Sequence, residues 1–149
     1  MPVSSVEIDY TCDWKRIHLK SIESAYRLSA FYEYYEDDLI EAYKSEIPLL
    51  FDWNLHLLKK ILNLCNISTE PLITQHFVMP GEDSQTKYHD FRTSISPKNR
   101  LIRPDPTFTP QPYQQVFADR HGFLPNLSIL DLLFNNGPQT LPILQSCSL

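Results

Sequence analysis

The apolar period between Leu50 and Cys65 constrains this chain more than any other feature. Leu50, Trp53, Leu57, Leu58, Ile61, Leu64 and Cys65 recur at the three-and-four spacing of one helix face, while Asp52, His56, Lys59, Lys60 and Asn63 take the other. Each large apolar side chain on that face would contribute on the order of 1.5–3 kcal/mol when buried. Such a segment has to be a core helix, and the rest of the chain has to cover it. Pro48 suits its entry. With 149 residues there is material for one domain with a real core.

Two more helices are predicted ahead of it. Asp13 can cap the first, in which Trp14, Ile17, His18, Ile22 and Ala25 define an apolar face and Arg16, Lys20, Glu23 and Arg27 the polar one. His18 on that face is open to two readings: a histidine packed on Trp14, or an acid or base, since its charge changes near neutral pH. Ser29 to Tyr43 reads as an aromatic and acidic helix whose carboxylates are a solvated face. No order of Asp, Glu and Gly there matches a calcium loop, and no metal site is expected.

Strands are predicted at three places. Val6, Ile8 and Tyr10 alternate with Glu7 and Asp9, Leu72 to Met79 is apolar with His76 on one face, and Tyr113 to Phe117 is short and extended. Between the last two lies a long polar and proline-rich loop, residues 80–112, holding His89, Asp90 and Arg92 and then Lys98, Arg100 and Arg103. Strands separated by long connections favour parallel pairing. The expected fold is therefore α/β, alternatively α+β: three N-terminal helices and a C-terminal helix against a small, incomplete, mostly parallel sheet.

The C-terminal block is the best punctuated. Pro125 and Asn126 turn the chain, Ser128 can cap, and Ile129 to Phe134 form a short apolar helix. Asn135, Asn136, Gly137 and Pro138 then stop it. The one acid inside, Asp131, is either a cap for backbone N–H groups or a functional carboxylate. A last turn or two follows, broken by Pro142.

Several function classes drop out. The three glycines, Gly81, Gly122 and Gly137, lie too far apart for a dinucleotide fingerprint or a phosphate-binding P-loop. A net charge of −5 argues against nucleic acid as partner. Cys12, Cys65 and Cys147 are scattered and odd in number, which favours free thiols in a reducing compartment, the cytoplasm. No apolar run is long enough to span a bilayer, and the first residues lack a signal-peptide pattern.

The ordered motifs D-W-K-x-x-H-x-x-S-I-x-x-A-Y from Asp13, F-x-E-Y-Y from Phe31, L-F-D-W-N-L from Leu50, Y-x-Q-V-F from Tyr113 and N-L-S-I-L-D-L-L-F-N-x-G-P from Asn126 resemble the WbqC-like protein family. The match runs over nearly the whole chain, and its last block is the most specific. Relative to that family the chain looks N-terminally truncated, so a single WbqC-like domain over 1–149 with an incomplete sheet is expected. The resemblance implies a role in bacterial O-antigen or other surface-polysaccharide biosynthesis, as a transferase modifying a sugar nucleotide or glycan; no cofactor is implied. Carried onto matching positions, it implies His18 as general base with Asp131 orienting it or stabilising a developing cation. Trp14, Tyr26, Tyr113, Gln115 and Ser128 are then substrate contacts. The competing expectation is a non-catalytic binding or assembly module, or an inactive fragment, using the aromatic helix and the proline-rich loop as its surface.

Overall fold

The second of the predicted helices is the centre of the molecule. In the computed structural model, which describes residues 2–74, 77, 79, 91 and 107–148, helix α2 (Tyr32–Lys44) buries Tyr32, Tyr35, Leu39, Ala42 and Tyr43. The stripe follows the helical period. Helix α1 (Trp14–Tyr26) packs on one side of it and α3 (Leu50–Leu64) on another. A short helix α4 (Ala118–His121) leads to α5 (Ile129–Asn136), a 3-10 turn at Gly137–Gln139 and α6 (Thr140–Ser146). Helix α5 closes the core from the opposite end: Leu133 and Phe134 join Tyr32, Tyr35, Leu39, Tyr43, Trp53 and Cys65 in one buried cluster.

No sheet forms among the described residues, which overturns the α/β expectation and its parallel pairing. The N-terminal alternating segment does pair, but through one antiparallel bridge. Ile8 N–H donates to the Pro48 carbonyl at 2.8 Å and Leu50 N–H to the Val6 carbonyl at 2.9 Å. The ladder cannot extend, because Pro48 has no N–H to give and Leu50 already begins α3. Residues 113–117 form no strand: 113–115 have no regular structure and 116–117 turn into α4. Their polar groups bond elsewhere: the Asn136 side chain donates to the Gln114 carbonyl, and the Gln115 side chain bonds the backbone of Leu124. The predicted strand at Leu72–Met79, with His76, falls mostly outside the described residues; Leu72 to Thr74 are not in a strand. Most of the 80–112 loop, with His89, Asp90, Arg92, Lys98, Arg100 and Arg103, also lies outside them.

Three local expectations need correction. The side of α1 packed on the core carries Trp14, Leu19, Ile22 and Tyr26, so Trp14 and Ile22 of the expected face turn inward while Ile17 and His18 do not. Ile17 is 58% exposed. The Lys15 stem lies inside while its ammonium sits 4.9 Å from the Tyr10 ring centre and 5.1 Å from that of Trp53. Asp13 precedes α1 but does not cap it; its carboxylate pairs with Arg16. Further on, Pro142 does not break α6, because it stands in the first turn, where no intrahelical acceptor is lost.

Candidate functional site

The C-terminal helix brings a carboxylate into the interior. Ser128 caps α5, its hydroxyl accepting from Leu130 N–H at 3.3 Å, and Asp131 falls in the first turn. Asp131 does not reach back to complete a capping box. It is 6% exposed, and its Oδ2 accepts a 2.8 Å hydrogen bond from the Tyr113 hydroxyl. A buried carboxylate is costly unless partnered, and this phenol is the partner. One turn later Asn135 donates to the Asp131 carbonyl at 2.7 Å, tying the same turn together.

Tyr113 is held from several sides. Its ring packs edge-on against Phe123, centres 5.3 Å apart. Burial is the main reason its phenol is pushed up to about 12, with the Asp131 charge adding to the rise and the Gln115 side chain opposing it. Tyr26, at the end of α1, lies close enough that burial and then the Asp131 charge raise its phenol too. Gln115 is buried and spends its amide on backbone: Nε2–H to the Leu124 carbonyl and Oε1 from Leu124 N–H, both at 2.9 Å. This two-point clamp fixes the Gly122–Leu124 turn, where Gly122 has φ 68°, against Tyr113.

A cavity of about 210 Å³ opens beside this group, between residues 108–113, α5 and α6. Tyr113 and Ser128 line it together with Phe108, Phe123, Leu132 and Cys147. None of its lining residues among the described ones carries a formal charge. A larger groove of about 420 Å³ runs between α1 and α2, with Leu19, Ile22, Leu39 and Ile40 between the charged Arg16, Lys20, Glu23 and Glu36. It holds none of the candidate catalytic or substrate-contact residues named from the sequence.

Five of those residues therefore share one neighbourhood: Tyr26, Tyr113, Gln115, Ser128 and Asp131. Trp14 and His18 do not join them. His18 is exposed, 5.2 Å from Trp14 and 6.3 Å from Tyr43 between ring centres. Eight residues of α1 separate it from Tyr26, a rise of about 12 Å. Trp14 belongs to a ring cluster with Tyr10, Tyr43 and Trp53, and its indole N–H has no partner. The sequence reading missed Phe108, Phe123 and Leu132 as cavity wall, since isolated aromatic and aliphatic residues near turns carry no periodic signal. It also missed Lys15, whose ammonium donates to the Ser45 carbonyl at 2.6 Å among three aromatic rings.

Among the described residues no three His, Cys, Asp or Glu side chains are grouped to hold a metal ion, and no helix is long and apolar enough to cross a membrane. All three cysteines are free; burial pushes the Cys65 thiol up. No curated protein and no solved structure matches the chain. A family model does, over residues 1–101 and 105–143, which takes in α1 to α5 and the cavity-lining Tyr113, Ser128 and Leu132. The chain belongs to the WbqC-like protein family.

Proposed function

We propose that this chain acts in the biosynthesis of a bacterial O-antigen or other surface polysaccharide, as a transferase that modifies a sugar nucleotide or glycan. The observation that carries the reading is the Tyr113–Asp131 hydrogen bond at the edge of a cavity of small-molecule size, in a WbqC-like chain. Asp131 fixes the direction of the Tyr113 O–H, so the phenol oxygen meets a substrate with its lone pairs. A substrate hydroxyl or amine attacking an activated donor would form its new bond as the donor's bond to its leaving group breaks, the leaving group departing with that electron pair. The attacking group would pass its proton to the phenol oxygen as the Tyr113 proton moves to Asp131. The carboxylate is then the net proton acceptor, and the phenol, held near 12, stays neutral before and after. Gln115 keeps the wall in place, and Ser128 offers a hydroxyl at the same rim. In this reading Asp131 does not orient His18. A base role for His18 and a substrate contact for Trp14 require a glycan long enough to run about 12 Å along α1.

The separation of His18 from Asp131 favours a second reading, a binding or assembly module in which both are structural. Gene replacement in the source organism distinguishes the two. Under the transferase reading, Tyr113→Phe and Asp131→Asn leave the protein folded and abolish the altered polysaccharide. Full restoration of the polysaccharide by both variants would favour the module.

A further inference from the structure

The groove between α1 and α2, about 420 Å³, is built differently from the cavity beside Tyr113 and shares none of its described lining residues. Its apolar lining is aliphatic: Leu19 and Ile22 come from α1, Leu39 and Ile40 from α2. Four charged residues line it as well, and three of them already have an opposite charge. Lys20 pairs with Glu23 at 2.6 Å, Arg27 reaches the same carboxylate, and Arg16 pairs with Asp13. Glu36 is the exception. It pairs with no lysine or arginine among the described residues.

Glu36 is half-buried and accepts one hydrogen bond, 3.2 Å, from the Tyr32 hydroxyl. Both residues line the groove, one turn apart on α2. The Tyr32 phenol is raised to about 12 by burial, then by Glu36, and also by Glu23 from the α1 wall. The Tyr32–Glu36 pair therefore faces α1 across the groove. A carboxylate has about four lone-pair sites; a single neutral donor fills one and leaves the charge uncompensated. One carboxylate is too few ligands for a divalent cation. A half-buried negative charge beside an aliphatic surface is complemented by an organic cation.

We propose that the α1–α2 groove binds a small amphipathic primary amine, its ammonium on the Glu36 carboxylate and its hydrocarbon part on Leu19, Ile22, Leu39 and Ile40. An ammonium brings three donors and no acceptor, so it adds to the carboxylate without displacing the Tyr32 O–H. This second site is independent of the transferase reading and stands or falls without it.

Titration calorimetry on the full chain at neutral pH with n-butylamine, n-hexylamine and 1-hexanol tests it, with methyl NMR shifts locating the ligand. Hexylammonium should bind tighter than butylammonium by about twofold per methylene, half the full burial effect, because a groove leaves one side of the chain in water. It should bind about tenfold tighter than 1-hexanol, through its charge, and that advantage should shrink as salt is raised. Glu36→Gln keeps the shape and an oxygen for the Tyr32 hydroxyl. It should bring hexylammonium down to the level of the alcohol and leave the alcohol unchanged. The shifts should fall on Leu19, Ile22, Leu39 and Ile40; shifts confined to other residues overturn the proposal. So do equal affinities of amine and alcohol, undiminished amine binding by folded Glu36→Gln, and absence of binding by all three compounds. If Glu36→Gln does not fold, the amine-to-alcohol ratio and its salt dependence in the unaltered protein decide: a salt-sensitive preference for the amine supports the site, and no preference overturns it.

Discussion

The two ends of α1 solve the same problem in opposite ways. At the N-terminal end the Lys15 ammonium lies among the rings of Tyr10, Trp14 and Trp53 and donates to the Ser45 carbonyl, so its cation is consumed by the chain's own aromatic faces. At the C-terminal end Asp131 is satisfied by one phenol, and that phenol borders open space. The first arrangement is closed: its rings pack on one another and secure the entry to α3. In the second, the partner residue Tyr113 also lines a cavity. A buried charge marks function when its partner also faces a ligand-sized space, and marks structure when its partners face only each other.

The largest test concerns what joins the two ends. Phe134 is 1% exposed, with its ring 5.3 Å from Tyr26 and 5.2 Å from Tyr32. Phe134→Ala should cost about 3–5 kcal/mol in denaturant unfolding, and both ends should lose structure together; separate transitions would mean that the ends are independent. Gly137, immediately beyond α5, is next. Its φ is 51°, and a Cβ there would lie 2.5 Å from the Phe31 ring. Gly137→Ala should destabilise by more than about 1 kcal/mol, with a downward shift in thermal unfolding as the readout.

Smaller substitutions separate the ends. Tyr113→Phe strands the Asp131 carboxylate and should cost about 1–3 kcal/mol. Lys15→Met keeps the aliphatic stem and should cost only about 1 kcal/mol. The reverse order in equilibrium unfolding would make the ring cluster the costlier polar burial. Least in size is a pH effect. The Tyr113 phenol is raised from its ordinary 10.0 to about 12, so the folded state disfavours its ionisation. Its stabilising contribution is complete below pH 10 and is lost as pH rises from there through about 12. Tyr32, raised to about 12 by burial and by the neighbouring Glu36, acts in the same window. Tyr113→Phe should therefore reduce the loss of stability across that window without abolishing it, as followed by unfolding curves at stepped pH.

Much of the helical layout was legible because periodicity reports local burial directly. Trp53, Leu57, Ile61, Leu64 and Cys65 of the expected α3 stripe and the stop at Asn135–Gly137 follow from it, although Leu58 of the same stripe is 46% exposed. What misled was alternation read as sheet: Val6–Tyr10 alternates, but it meets a segment with one proline and a helix start, which allows a bridge and nothing longer. At the candidate site the fold brings together Tyr26, Tyr113, Gln115, Ser128 and Asp131, drawn from segments far apart in sequence. Spacing could not choose between Asp131 as cap and Asp131 as buried carboxylate, because that depends on Tyr113, eighteen positions earlier. Nor could it divide His18 from Asp131, since a one-residue rotation of the α1 face moves His18 outward.

The central claim is that the working end is the one with Tyr113 and Asp131. Analysis of surface polysaccharide after replacing the gene with Tyr113→Phe, Asp131→Asn or Lys15→Met tests it most directly, with circular dichroism of each purified variant confirming the fold. The account predicts loss of the product with the first two and retention with Lys15→Met. Retention with Tyr113→Phe and Asp131→Asn, alongside loss with a folded Lys15→Met, would contradict it and move the function to the other end of α1.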